Sequence, residues 1–231
     1  MPSIILGGTG ATCARRKRLS IEMIPSSTAT PPARTRDARR EAFVAAARQA
    51  FFSEGYGGTS MSSISAKVGG SKTTLWTYFP SKQDLFAAVV DDLVERYGRA
   101  LEVQFDPDAD IADSLRMMGR ALLLTVHSQP IIDLNRLCVG EAGRFPELAR
   151  LFHERGPARG KARLRAFIAE AMARGKLRAG DPAAASLSFV GMLWAGSIQS
   201  HLLGLIERPS DAEIEQEIGA AVGTFLRAWG A

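Results

Sequence analysis

Residues Phe51 to Leu85 read FFSEGYGGTSMSSISAKVGGSKTTLWTYFPSKQDL, and the glycines, hydroxyl residues and proline divide this stretch into short helices. Gly55 stops an amphipathic helix that begins near Asp37, in which Phe43, Ala46, Ala47, Ala50 and Phe51 recur on one face. After Gly57-Gly58, the pair Thr59-Ser60 offers an N-cap, Met61 to Val68 form a short helix with Ile64 inward, and Gly69-Gly70 break it. Ser71 caps a third helix, Lys72 to Tyr78, bounded by Pro80, and Ser81 caps a longer fourth whose Leu85, Val89, Leu93 and Tyr97 share a face. Two short helices joined by a tight glycine turn make a helix-turn-helix, the geometry that lays its second helix in the major groove of DNA. Short polar side chains let that helix approach the bases, a need met by Ser71, Lys72, Thr73 and Thr74. Lys82 supplies a cation for phosphate, and Trp76 and Tyr78 supply donors on rings expected to pack between helices.

The charge distribution agrees with this. The 231-residue chain carries a net +5, but residues 1–82 hold +8 and the remainder −3. A basic head on a near-neutral body fits a polyanion partner. Aromatic residues make up only 7% of the chain, while alanine and leucine dominate, so an all-α fold is expected. Residues 1–35 lack any apolar period and contain Arg15-Arg16-Lys17-Arg18 and a Pro/Ser/Thr-rich run, which reads as a disordered basic leader; Met23 offers an alternative start.

The spaced set Phe51, Gly55, Tyr56, Thr59, Ser60, Ile64, Gly69, Ser71, Thr74, Leu75, Trp76, Tyr78, Phe79, Ser81, Lys82 and Leu85 resembles the DNA-binding domain of the TetR family of transcriptional repressors. The likeness spans about residues 36–90, with Trp76, Tyr78 and Gly70 replacing the more usual Tyr, His and small apolar residue. It implies a helix-turn-helix domain over 36–82 and a helical ligand-binding and dimerisation domain over 83–231. It also implies phosphate contacts from Thr59, Ser60, Tyr78 and Lys82, and base-facing roles for Lys72, Thr73, Thr74 and Trp76. Further on, Glu141-x-x-Arg144-Phe145-Pro146-Glu147-Leu148-Ala149 and Gly175-Lys176-Leu177-x-x-x-Asp181-Pro182 resemble the AefR-type C-terminal domain of some members.

Within the body, helices are expected near 110–128, 131–142, 146–174, 182–206 and 210–229, the last opened by the capping box Ser210-x-x-Glu213. The resemblance makes the last two the homodimer interface, with Leu187, Val190, Trp194, Leu202, Leu205, Ile218, Val222 and Phe225 as contacts. Polar or soft residues in apolar helices are the candidates to meet a small-molecule effector: Met117, Met118, His127, Asn135, Cys138, Met192, Gln199 and His201.

Other classes fit poorly. Ala183 to Ile206 contains no charged residue and exceeds the roughly 20 residues that span a bilayer. Its serines, Gln199 and His201, together with the helix start at Asp181-Pro182, favour a buried or interfacial helix, so no membrane partner is expected. Cys13 and Cys138 are too far apart in sequence and context for a CxxC site, which fits a reducing cytoplasm and leaves no metal site expected. The opening Ile4 to Gly10 places Cys13 where a dinucleotide loop needs its third glycine, and Ser71 separates Gly70 from Lys72 where a phosphate loop needs them adjacent. With no HExxH or GxSxG either, neither an enzyme nor a cofactor is expected. The expected function is a DNA-binding regulator, a repressor of double-stranded operator DNA released by a small apolar ligand; the alternative is a helical interaction module with a non-specific basic head.

Overall fold

The computed structural model describes residues 33–69, 72–98, 106 and 108–231, with side chains from Arg36 onward. Eleven helices account for these residues, with no strand among them. In chain order they are α1 (Ala33–Gly58), α2 (Met61–Val68), α3 (Lys72–Tyr78), α4 (Lys82–Tyr97), α5 (Ile111–Val126), α6 (Gln129–Glu141), α7 (Pro146–Arg155), α8 (Pro157–Ala173), α9 (Pro182–Trp194), α10 (Ile198–Leu202) and α11 (Asp211–Trp229). The chain is all-α, and the leader expected over 1–35 falls almost wholly outside the described residues.

Two apolar clusters organise the chain. The first gathers Phe43, Ala47 and Phe51 of α1, Ile64 of α2, Leu75 of α3 and Leu85, Phe86 and Val89 of α4. It continues into Ile131, Leu134 and Cys138 of α6 and Leu148 of α7, so these two helices are anchored in the head. The second gathers Leu115 and Leu123 of α5, Leu164 and Ile168 of α8, Phe189 and Leu193 of α9 and the α11 stripe Ile214, Ile218, Val222 and Phe225. Against α11, α5 brings Gly119, where a Cβ would stand 3.3 Å from Ile218. The boundary expected at residue 82 falls on the first residue of α4, whose later turns still belong to the first cluster.

Two expected helices are each divided. The span 146–174 breaks at Gly156, which has φ −117 and ψ −84 and precedes Pro157. Proline disfavours helical geometry in the residue before it and has no N–H to continue the ladder, so α8 starts anew. The span 182–206 breaks after Trp194, where Glu217 of α11 accepts from the Ser197 backbone N–H and from its hydroxyl, both at 3.1 Å. Gly196 permits that approach, since a Cβ there would lie 2.5 Å from the Glu217 carboxylate. Gly204, at φ 71, then ends the α10 segment.

Candidate nucleic-acid interface and ligand cavity

The head is built to hold α3 outward. Ser60 caps α2 through a reciprocal box: its Oγ accepts from Ser63 N at 3.0 Å, and Ser63 Oγ accepts from Ser60 N at 3.3 Å. Gly69, at φ 71, closes α2, a left-handed conformation that glycine adopts without Cβ strain. On α3 the buried side chain is Leu75, so Lys72, Thr73 and Trp76 face solvent and Thr74 is half-buried. Trp76 is 48% exposed, which corrects the expectation that its ring packs between helices. Tyr78 does pack inward, its ring 5.9 Å from that of Phe43. Ser71 and Gly70 lie outside the described residues.

Two expected phosphate contacts have other partners in this structure. Thr59 is 2% exposed, and its hydroxyl donates to the Gly55 carbonyl at 2.8 Å, so its side chain stabilises the end of α1 and does not reach a phosphate. Lys82 is half-buried, and its Nζ donates to the Tyr56 and Thr59 carbonyls at 2.8 and 2.9 Å while lying 4.2 Å from the Tyr56 ring centroid. Burial lowers its pKa from that of an ordinary lysine, and the Glu141 carboxylate opposes that shift. Two of its three protons hold the end of α1, which leaves one for a phosphate. Sequence reasoning missed Arg36 and Arg40, exposed on α1, whose guanidinium groups stand 5.9 Å from the Tyr78 ring and 5.4 Å from the Phe79 ring. They carry α1 charge to the end of α3, and the +8 of the first 82 residues was their signal.

Within the body lies a cavity of about 170 Å³, walled by α4 to α9. Its lining is chiefly apolar: Met118, Leu122 and Val126 of α5, Ile131 of α6, Phe152 of α7, Leu164 of α8, and Phe189, Val190 and Trp194 of α9. Asn135 is half-buried there and donates to the Ile131 carbonyl at 3.0 Å; Thr125 donates to Tyr97 O at 3.0 Å. The charged lining residues are both cations, Lys161 and Arg163 of α8, with no carboxylate among the described residues lining it. A second, shallower depression of about 520 Å³ at the α10–α11 turn is bordered by Glu207, Arg208, Glu213 and Glu217, a poor match for an apolar guest.

Of the eight effector candidates, the structure brings Met118 and Asn135 together at the cavity. Met117 points to solvent, Gln199 is exposed on α10, and Met192 packs against the second cluster. Cys138 is buried in the first cluster, where loss of solvent pushes its thiol up to about 12. His127 and His201 form a buried pair, Nδ1 to Nδ1 at 2.9 Å, and His127 Nε2 lies 3.1 Å from Ser197 Oγ. Since Ser197 gives its proton to Glu217, it accepts from His127 Nε2–H; His127 Nδ1 is then the acceptor, and His201 Nδ1–H the donor. The chain of bonds therefore runs His201 to His127 to Ser197 to Glu217 and requires a neutral His127 ring. Burial first, then the His201 ring and Arg208, bring the His127 pKa down to about 4.

The expected dimer contacts also divide. Leu187 and Leu205 stand 60% and 73% exposed, Trp194 is exposed, and Leu202 is half-buried. Val190 and Trp194 also line the cavity. Ile218, Val222 and Phe225 are buried in the chain's own second cluster, which corrects their assignment to an intermolecular contact. One apolar stripe cannot face α5 and α9 and also a second chain.

A buried-anchor helix-turn-helix joined to a helical body with an internal cavity defines a DNA-binding transcriptional regulator, and no helix among the described residues is long and apolar enough to cross a membrane. The chain belongs to the TetR family: residues 43–89 match "Bacterial regulatory proteins, tetR family", and residues 113–231 match "AefR-like transcriptional repressor, C-terminal domain". It is 36% identical to the flavonoid-responsive regulator FrrA over 84% of this chain and 98% of that one, with a TM-score of 0.75. A TetR transcriptional regulator from Agrobacterium tumefaciens is 28% identical over 84% and 95% of the two chains, with a TM-score of 0.66. The HTH-type transcriptional regulator RutR of Escherichia coli (strain K12) is 34% identical over 83 residues, so the match spans 39% of that relative and 35% of this chain. Family and relatives are regulators, not enzymes.

Proposed function

We propose that this chain is a homodimeric repressor that leaves its operator when a small apolar ligand enters the cavity. The observation that carries the reading is the pairing of an outward α3, presenting Lys72, Thr73 and Trp76, with an apolar cavity whose walls include α4 and α6, helices shared with the head. In this reading α3 meets base edges, while Ser60, Tyr78, Arg36, Arg40 and the remaining proton of Lys82 meet phosphate. Residues 36–82 act as the head and 83–231 as the body. Dimerisation is supported by α9, which buries Phe189 and Leu193 on one side yet presents Leu187 and Trp194 on the other. A helix apolar on both faces requires a second covering surface. Two heads about 34–36 Å apart would then reach successive major grooves.

The effector is read from the cavity lining. An apolar body fits the walls, and two cations with no carboxylate favour an acceptor-rich or ionisable edge such as a phenol. A flavonoid has this character, and FrrA is flavonoid-responsive. A coupling of about 1–3 kcal/mol between the sites gives a 5- to 150-fold loss of operator affinity. The test is to enrich duplexes from a random pool with the full chain, then titrate the enriched duplex against scrambled competitor, with and without a panel of flavonoids, at two salt concentrations. Competitor-resistant binding relieved by a flavonoid is expected. Binding lost equally to competitor and salt would replace this reading with a non-specific basic head.

A further inference from the structure

The end of α1 is gripped from two sides. Gly55, at φ 75 and ψ 164, bends the helix before its last residues and exposes backbone groups that a continuous helix would pair. Lys82 holds the carbonyl side through Tyr56 and Thr59, and on the opposite side Gly57 N–H donates to Glu141 Oε1 at 2.9 Å. Glu141 is the last residue of α6, its side chain mostly buried, 84 positions along the chain from its partner. The approach is close: a Cβ at Gly55 would stand 3.0 Å from Glu141 Oε1, and one at Gly57 would stand 3.3 Å from the Phe145 ring. Phe145 meets the Tyr56 ring edge-on at 5.0 Å, which seats the turn after α6 against the same bend.

Helix α6 touches both sites. Ile131 and Asn135 line the cavity, while Glu141, roughly 9–15 Å further along the same rigid helix, holds the bend that leads through Thr59 and Ser60 into α2. Apolar contacts between head and body weaken gradually as surfaces separate, but a hydrogen bond is lost once its atoms part beyond about 3.5 Å. A polar contact at the far end of such a lever converts a small displacement into a discrete loss. We propose that Glu141 is the positioning residue through which occupancy of the cavity reaches the helix-turn-helix: a guest that shifts α6 draws the carboxylate from Gly57 N–H and frees the bend that aims α2 and α3. This rests on the DNA-binding reading above.

The test needs no identified effector. Val190→Trp fills the cavity from α9, across from α6, and stands in for a guest; Leu122→Trp fills it from α5 should the first variant fail to melt cooperatively. Each is made in the full chain, in the native, Glu141→Ala and Glu141→Gln backgrounds, and titrated against the duplex that the native chain enriches from a random pool. Filling is expected to weaken duplex binding about tenfold in the native background and less than about twofold in the Glu141→Ala background, on the scale of one hydrogen bond to a charged acceptor. Glutamine, which keeps an uncharged acceptor, is expected to regain part of the response. A purely structural Glu141 would lower stability or affinity in each background and leave the fold-loss on filling unchanged. Equal fold-losses in the native and Glu141→Ala backgrounds overturn the proposal, as does no loss from either filling substitution in the native background. Failure of the native chain to enrich any duplex overturns the DNA-binding reading itself.

Discussion

Around Tyr56 the rings of Phe51, Phe86 and Phe145 meet it at centroid separations of 5.0 to 5.6 Å, whereas the body beside Phe189 encloses about 170 Å³ of space and a buried chain of polar groups. Close-packed aromatic rings interlock and resist local displacement. A wall bordering a void has fewer neighbours to hold it and yields at lower cost. The difference teaches how one chain can keep a reading surface rigid while leaving a sensing surface free to adjust. The two meet along α6, where Ile131 belongs to the head cluster and also, with Asn135, borders the cavity.

The largest expected effect breaks the comparison at its rigid end. Phe86→Ala removes a fully buried ring from the head and should cost about 3–5 kcal/mol. Phe189→Ala, just as buried but at the cavity wall in the second cluster, should cost clearly less, because a ring that borders a void has fewer neighbours to lose. Urea unfolding of both variants checks this; equal losses would mean that head and body are packed alike.

The body carries a pH sensitivity of its own. His127 has a native pKa of about 4 against an unfolded value of 6.5, so between these limits the unfolded chain binds a proton that the native chain refuses. The His127 contribution to stability therefore falls as pH drops through this window and stops changing below about pH 4. The loss between pH 7 and pH 5 should be about 2 kcal/mol for His127 alone. His201 is shifted in the same direction by burial and by Arg136 and Arg208, and adds to it. Glu217 is the carboxylate in the bonded chain, and Asp133 acts on His201 in the opposite sense. Urea melts at the two pH values, repeated on His127→Phe, should show the dependence reduced by the substitution.

How far each region could be read in advance follows from where its determinants lie. In the head the signals are local: Ser60, Gly69 and Pro80 sit within a few residues of the structures they set, and the ends of α2 and α3 fall where the spacing placed them. Trp76 faced outward because Leu75 is the α3 residue that turns inward. The fates of Thr59 and Lys82 were not legible, because each depends on the bend at Gly55, which brings their partners into reach only in three dimensions. In the body the determinants are long-range. Nothing beside Ser197 in sequence reveals that Glu217 will interrupt the helix there, or that His127 will meet His201 across 74 positions. The break at Gly156 has a local signal in Pro157, which disfavours helical geometry in the residue before it, although the expected helix ran through both. Cavity lining is least legible of all, since Phe152, Leu164 and Phe189 look like ordinary core residues in sequence and differ from them only in what they fail to touch.

The outward face of α3 is tested by substitutions that leave the fold alone. Trp76→Ala removes an exposed ring and should keep the urea midpoint within error while weakening binding to the enriched duplex by about 1–3 kcal/mol. Lys72→Ala should weaken binding and, if its contact is a phosphate, reduce the magnitude of the salt slope by about one; an unchanged slope with altered base preference would place Lys72 on a base edge. No change in duplex affinity for either variant would move the reading surface off α3.

The smallest effect separates fold from function most cleanly, because head and body carry the same device. Ser60 opens α2 and Ser210 opens α11, each with a reciprocal capping box. Replacing either serine with alanine removes the same acceptor from the third helical N–H, at about 1 kcal/mol of stability. In the body the other half of the box is Glu213, whose carboxyl is held below the usual range by its bonds to Ser210, so Ser210→Ala should also raise that pKa. Duplex affinity should be unchanged by Ser210→Ala, because α11 reaches the head only through the body. Ser60→Ala should show a matched stability loss together with weaker duplex binding that does not depend on base sequence, since Ser60 is both the cap of α2 and an exposed hydroxyl assigned to phosphate. If the two variants lose stability alike and bind DNA alike, Ser60 is a cap and nothing more, and the phosphate contacts of the head fall to Tyr78, the α1 arginines and Lys82.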